Sequence, residues 1–153
     1  MNTRQQNTSI NILLADDDKD DRFFFEKALK EISILTNLKT VNDGEELMEY
    51  LGNNIEHLPD ILFLDLSMPR KTGFECLTEI KENIKLKSIP VVVFSTSFSR
   101  DTIYEMNLAH KLFEIGAQNY VRKPGDFSQL RNIIELSLTK LSDMDSSNNF
   151  EIK

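Results

Sequence analysis

Two hydrophobic patterns alternate along the chain. The runs INILLA (10–15), ILFL (61–64) and IPVVVFS (89–95) are short and almost free of polar interruptions, the pattern of strands buried on both faces. Between them, apolar residues recur at helical spacing: Phe25, Leu29 and Ile32 within 21–32, and Phe74, Leu77 and Ile80 within 73–83. Phe127, Leu130, Ile134, Leu138 and Leu141 form one stripe within 126–141. Two shorter runs, LKTV (38–41) and AQNYVR (117–122), read as further strands. Residues 44–51 read as a helix opened by Asp43 and Glu46 in a capping-box pattern, and residues 100–116 as a helix closed by Gly116. IPVVVFS is the most β-branched segment, which predicts a central strand.

Five strands alternating with five helices predict a parallel sheet covered on both faces, because right-handed helical crossovers join parallel strands. Residues 10–141 then form a single domain, preceded by an extension at 1–9 and followed by a polar tail at 142–153 whose composition predicts disorder.

In such sheets chemistry collects outside the carboxyl ends of the strands. There the sequence places Asp16, Asp17 and Asp18 after the first strand and Asp65 after the third. Ser95 and Thr96 end the fourth, and Lys123 precedes Pro124 after the fifth. Any one of these could simply start a loop. Their joint arrival at one edge, beneath strand interiors so apolar, predicts a site, since a carboxylate beside a core must be solvent-reachable, paired or functional.

Charge narrows the partners. A net charge of −7 supplies no basic stripe for nucleic acid. The group Glu79, Lys81, Lys85 and Lys87 reads as a solvated helix face. No apolar stretch approaches the roughly 20 residues of a membrane span, and the first ten residues lack a signal-peptide core, which points to the cytoplasm. The single Cys76 cannot form an internal disulfide and reads as a packed helical thiol, while His57 and His110 read as isolated surface residues.

These residues also resemble a known family. LLADDD, DLSMPRKTG, VVVFST and YVRKP, one motif per expected strand end and in this order, are similar to the receiver domain of two-component response regulators. The resemblance covers nearly the whole chain. It implies a flavodoxin-like (βα)5 three-layer sandwich with strand order 2-1-3-4-5. It further implies Asp65 as phosphoacceptor, with Mg²⁺ held by Asp17 and Asp65 directly, by Asp16 through water and by the main-chain carbonyl of Ser67. Asp16 and Asp17 are taken as the acidic pair because they end the apolar run, leaving Asp18 to the loop or helix cap and Asp20 and Asp21 to the helix dipole. Lys123 would pair with Asp65 and then with the phosphoryl group, aimed by a cis Lys123–Pro124 peptide. Ser95 would donate its hydroxyl to the phosphoryl group, with Tyr120 as the switch aromatic.

The family implies a cytoplasmic phosphoprotein of phosphorelay signal transduction rather than a metabolic enzyme, its catalysis limited to its own phosphorylation and dephosphorylation. Its phosphodonor would be a sensor histidine kinase or phosphotransfer protein. Its output surface, the fourth helix, fifth strand and fifth helix, leaves room for a homodimer. The patterns DLSMPRKTGFECLTEIK and IPVVVFSTS, with no output or DNA-binding domain expected, most resemble the single-domain regulators associated with phytochrome kinases.

Three features depart from the common pattern. Ser67 stands where many receivers have Asn, and Thr96 where a smaller residue is usual. The stretch from Ser95 to Gly116 is longer than usual and brings Met106, Leu108, Leu112 and Phe113 near the output surface. Two other readings remain: a receiver-shaped adaptor that needs no phosphorylation, and an aspartate-nucleophile phosphohydrolase of the haloacid dehalogenase type. The latter needs an acidic residue two positions after its nucleophile, where this chain has Ser67.

Overall fold

A computed structural model describes residues 8–96 and 102–152. Strands β1 (Ile10–Ala15), β2 (Thr36–Val41), β3 (Ile61–Leu64), β4 (Val91–Ser95) and β5 (Asn119–Arg122) form one parallel sheet of order β2-β1-β3-β4-β5. Helices α1 (Lys19–Lys30), α2 (Gly44–Asn53), α3 (Gly73–Glu82), α4 (Thr102–Ile115) and α5 (Phe127–Ile152) connect and cover the strands. The flavodoxin-like fold implied by the motifs is the one observed.

Successive side chains on a strand point to opposite faces, so a wholly apolar strand feeds two cores at once. Leu13, Leu62, Leu64, Val91 and Val93 pack with Leu47, Leu51, Leu77, Ile80 and Leu112 from α2, α3 and α4. Ile12, Leu14, Ile61, Phe63, Val92 and Phe94 pack with Phe25, Leu29, Ile134 and Leu138 from α1 and α5. The sheet is thus the middle layer of three. β4 is buried along its whole length, as its β-branched sequence predicts, although β3 takes the central place.

Caps fix where the helices begin. Asp18 caps α1 by accepting from the Asp21 amide, and Asp43 caps α2 by accepting from the Glu46 amide. The expected box at α2 is offset, because the Glu46 carboxylate accepts from the Asn42 amide rather than from that of Asp43. The reciprocal box forms instead at α3, between Thr72 and Glu75.

The last helix is longer than expected. α5 continues as helix through Ile152, where polar composition predicted a disordered tail from residue 142. The tail contains no Pro or Gly, and extending a formed helix is far easier than nucleating one. For the helix expected at 100–116, residues 100 and 101 lie outside the described residues. α4 buries Leu108 and Leu112 and leaves Ile103, Tyr104, Met106 and Phe113 exposed. Gly116 closes it at φ +130°, a conformation that favours glycine.

Lys81 is no solvated charge: its Nζ donates to the carbonyls of Lys87 (2.9 Å) and Ile89 (2.7 Å), tying the end of α3 to the approach to β4. Cys76 is buried, as expected, and burial pushes its thiol up to about 12, so it stays protonated. His57 and His110 are both exposed. No helix among the described residues is long and apolar enough to cross a membrane.

Candidate phosphoacceptor site

The backbone ladders run one residue beyond three of the strands. Past the end of β1, the Asp16 amide donates to the Val41 carbonyl at 3.1 Å; past β3, the Asp65 amide donates to the Ala15 carbonyl at 3.0 Å; past β5, the Lys123 amide donates to the Ser95 carbonyl at 2.8 Å. Each functional residue is therefore held by sheet geometry at the first position outside its strand. This is why the apolar runs, read to their ends, locate the site.

Glycine secures the Asp65 loop. A side chain at Gly73 would overlap the Asp65 carbonyl oxygen, and one at Gly44 would overlap that of Lys71. Only glycine lets α3 start against the Asp65 loop and lets the β2–α2 turn close over it. Arg70, at φ +70°, pairs with Asp43 at 3.2 Å across the same junction.

Asp16, Asp17 and Asp65 each bring a carboxylate oxygen to within 4.8 Å of the others. Asp16 and Asp65 are buried, and Asp17 is exposed. Hard oxygen donors reachable from solvent on one side suit a divalent cation such as Mg²⁺ or Mn²⁺, so the residues present fit the metal the motifs imply. Asp18 turns away to cap α1, so of the three consecutive aspartates it is Asp16 and Asp17 whose carboxylates lie beside Asp65. The Ser67 amide donates to Asp65 Oδ1 at 3.3 Å, keeping that residue's backbone beside the carboxylate.

Lys123 Nζ lies 2.7 Å from Asp16 Oδ2, 2.7 Å from Asp21 Oδ2 and 3.6 Å from Asp65 Oδ2. It reaches the cluster and forms the expected ion pair with Asp65, while its hydrogen bonds go to Asp16 and Asp21. The Lys123–Pro124 bond is trans, not cis, for no peptide bond among the described residues is cis. Trans is the lower-energy isomer of an X-Pro bond, and the lysine stem reaches the carboxylates without the other one.

Asp21 is the residue that sequence reasoning missed, having been assigned only to the helix dipole. A signal was available: with Asp18 as N-cap, Asp21 falls at the third helical position, where acidic side chains reach back toward the chain entering the helix. Arg22 was missed as well. Its Nη1 donates to the Asp16 carbonyl at 2.8 Å, and the Asp18 amide donates to Asp16 Oδ1 at 2.9 Å.

Electrostatics follow from burial. Desolvation pushes the Asp65 carboxyl up to about 6; Lys123 opposes the shift and the neighbouring Asp16 and Asp17 add to it. Burial also raises Asp16, which its bonds to Lys123 and the Asp18 amide only partly offset. Burial acts against the Lys123 ammonium, but its hydrogen bonds to Asp16 and Asp21 prevail and hold it above the ordinary lysine value. At neutral pH, Asp65 is a poorly solvated anion and Lys123 a cation.

Ser95 is buried, and its hydroxyl donates to the Thr96 carbonyl at 3.3 Å. Thr96 itself is exposed. Tyr120 sits opposite Val93 in the β4–β5 register, half-buried against the core on the α2–α4 side.

Known proteins resemble this chain in sequence and fold. The response regulator receiver domain family matches residues 12–135. Response regulator Rcp1 from Synechocystis sp. is 38% identical over 104 residues, covering 63% of this chain and 71% of that protein. The phosphorylated cyanobacterial phytochrome response regulator RcpA superposes with a TM-score of 0.70 at 35% identity, covering 84% of this chain and 90% of that one. The Mn²⁺-bound form of Rcp1 does so with a TM-score of 0.70 at 32% identity, covering 82% and 89%. The chain belongs to the response regulator receiver family of two-component signalling.

Proposed function

We propose that this receiver is a phosphorylation switch. It takes a phosphoryl group onto Asp65 from the phosphohistidine of a sensor histidine kinase or phosphotransfer protein. The observation that carries this reading is the Asp65 carboxylate, held at the end of β3 with its pKa near 6, ionised at neutral pH and flanked by two further carboxylates and an ammonium.

An Asp65 oxygen attacks the phosphorus in line. The P–N bond of the donor breaks, and its electron pair leaves with the imidazole. Asp16, Asp17, Asp65 and the Ser67 carbonyl would hold Mg²⁺, which when bound offsets the repulsion between the carboxylate and phosphoryl oxygens. Lys123 supplies positive charge to one phosphoryl oxygen. Ser95 turns its hydroxyl from the Thr96 carbonyl to another. Tyr120, on the strand beside Ser95, then carries the change to the surface of α4, β5 and α5, where Ile103, Tyr104 and Met106 are exposed. On this reading the chain is a signalling module, catalysing only its own phosphorylation and hydrolysis.

Acetyl phosphate with Mg²⁺ is expected to add one acid-stable, base-labile phosphoryl group, seen by mass spectrometry on the wild type and absent from Asp65→Asn. Equal labelling of that variant would place the acceptor elsewhere.

A further inference from the structure

Lys123 is 12% exposed and has three protons to donate, yet two of its bonds go to Asp16 and Asp21, while Asp65 stays at 3.6 Å, beyond a good hydrogen bond. Its two close partners differ in kind. Asp16 belongs to the carboxylate cluster that fits a cation, so its charge is shared once a cation binds. Asp21 stands outside that cluster, on the first turn of α1, and lies beside the ammonium with no share in the cation-fitting cluster. Both residues line a cleft of about 160 Å³ bounded by Phe24, Phe94 and Phe127, with Asp16 buried and Asp21 partly open to solvent.

We propose that Asp21 is a positioning residue that holds Lys123 in a resting place, so that an arriving phosphoryl group must draw the ammonium away from it. The inference rests on the phosphoacceptor reading of Asp65. A phosphoryl oxygen and Asp21 compete for the same donor, and removing one competitor favours the other by the difference in affinity. Asp21 therefore slows phosphorylation and weakens the phosphorylated state.

The test uses the full chain with Mg²⁺ and acetyl phosphate, following the initial rate of labelling on Asp65. Asp21→Asn should label roughly three- to tenfold faster than wild type, and Asp21→Glu, which keeps the anion, should return to near the wild-type rate. Asp20→Asn removes an equal charge from the same helical turn and should stay within about twofold of wild type. A second readout needs no metal or phosphodonor: the ¹⁵N signal of the Lys123 ammonium, assigned by its loss in Lys123→Arg. It should move or broaden in Asp21→Asn and stay in place in Asp20→Asn. Equal acceleration by both Asn variants would reduce the effect to general repulsion of an anionic donor and overturn the proposal, as would an unmoved ammonium signal in Asp21→Asn. A labelled wild type matched in rate by Asp21→Asn would overturn this inference alone, whereas an unlabelled wild type would overturn the phosphoacceptor reading and this inference with it.

Discussion

The carboxylate edge and the apolar layers beneath it are built on opposite terms. In the α1–α5 layer the rings of Phe25, Phe63 and Phe94 meet edge-on or tilted, with centroids 5.0 to 6.2 Å apart, and Ile134 and Leu138 close around them. Every group there gains by leaving water. At the edge, Asp16, Asp65 and Ser95 are the buried polar residues among those described, and both carboxyls are pushed up by desolvation. The layers stabilise the fold and the edge draws on that stability to keep poorly solvated anions together. Removing a buried ring from the layers and removing the desolvated Asp65 carboxylate from the edge should therefore change stability in opposite directions.

The largest expected effect is in the layers. Phe63→Ala should destabilise by about 3–5 kcal/mol in urea unfolding, since it removes a fully buried ring in contact with two others. A loss below about 1 kcal/mol would mean that the layer repacks freely, and the contrast would fail.

Next comes Asp65→Asn in metal-free buffer, which should stabilise. The folded carboxyl titrates near 6 against an ordinary 3.8, so the folded state holds its proton more tightly than the unfolded chain. The cost of ionising it is absent below about pH 4, grows as pH rises through 6 and is complete above that, amounting to about 1–3 kcal/mol. Urea midpoints of the two proteins should then coincide at pH 4 and separate at pH 7.5, the Asn variant being the more stable. A wild type as stable as the variant at pH 7.5 would mean that Lys123 already compensates Asp65 in full.

Asp17 and Asp18 sharpen the comparison within the edge itself. Asp17→Ala should weaken Mg²⁺ binding at least about tenfold, or 1.4 kcal/mol, because Asp17 belongs to the cluster. Asp18→Ala should instead lose about 1 kcal/mol of stability as a helix cap and leave Mg²⁺ binding nearly intact. Magnesium titration of both variants decides the register, and greater damage from Asp18→Ala would shift the acidic pair by one.

The smallest effect on stability belongs to Ser95→Ala. Its hydroxyl makes a 3.3 Å bond to the neighbouring carbonyl, so its loss should cost no more than about 1 kcal/mol. The consequence should be in signalling: the variant still accepts phosphate on Asp65 but loses most of the change at the 100–125 surface. Hydrogen exchange with and without beryllofluoride measures this, and undiminished changes in the variant would route the signal around Ser95.

Much of the fold was legible because each signal was local. Apolar runs marked β1, β3 and β4, and the stripes through Phe25, Leu77 and Ile134 marked α1, α3 and α5. β2 was harder: the sequence reading began it at Leu38 and the structure at Thr36, because an edge strand paired only with β1 can carry Asn37 and Lys39 exposed and so lacks an unbroken apolar pattern. Site membership was legible wherever a residue immediately follows a strand, as for Asp16, Asp65 and Lys123.

What the sequence determined by itself was thus the parallel sheet, the edge at which chemistry gathers and the acidic residues delivered there, since strand period and strand ends are properties of contiguous residues. The tertiary structure alone decided how those residues pair. Asp21 is 102 residues from Lys123 in sequence, yet the two meet at 2.7 Å because α1 packs beside α5 and the loop between β5 and α5 lines the same cleft as Asp21. A lysine among four carboxylates goes to those its stem and the local desolvation favour, and that competition is settled in three dimensions, not along the chain.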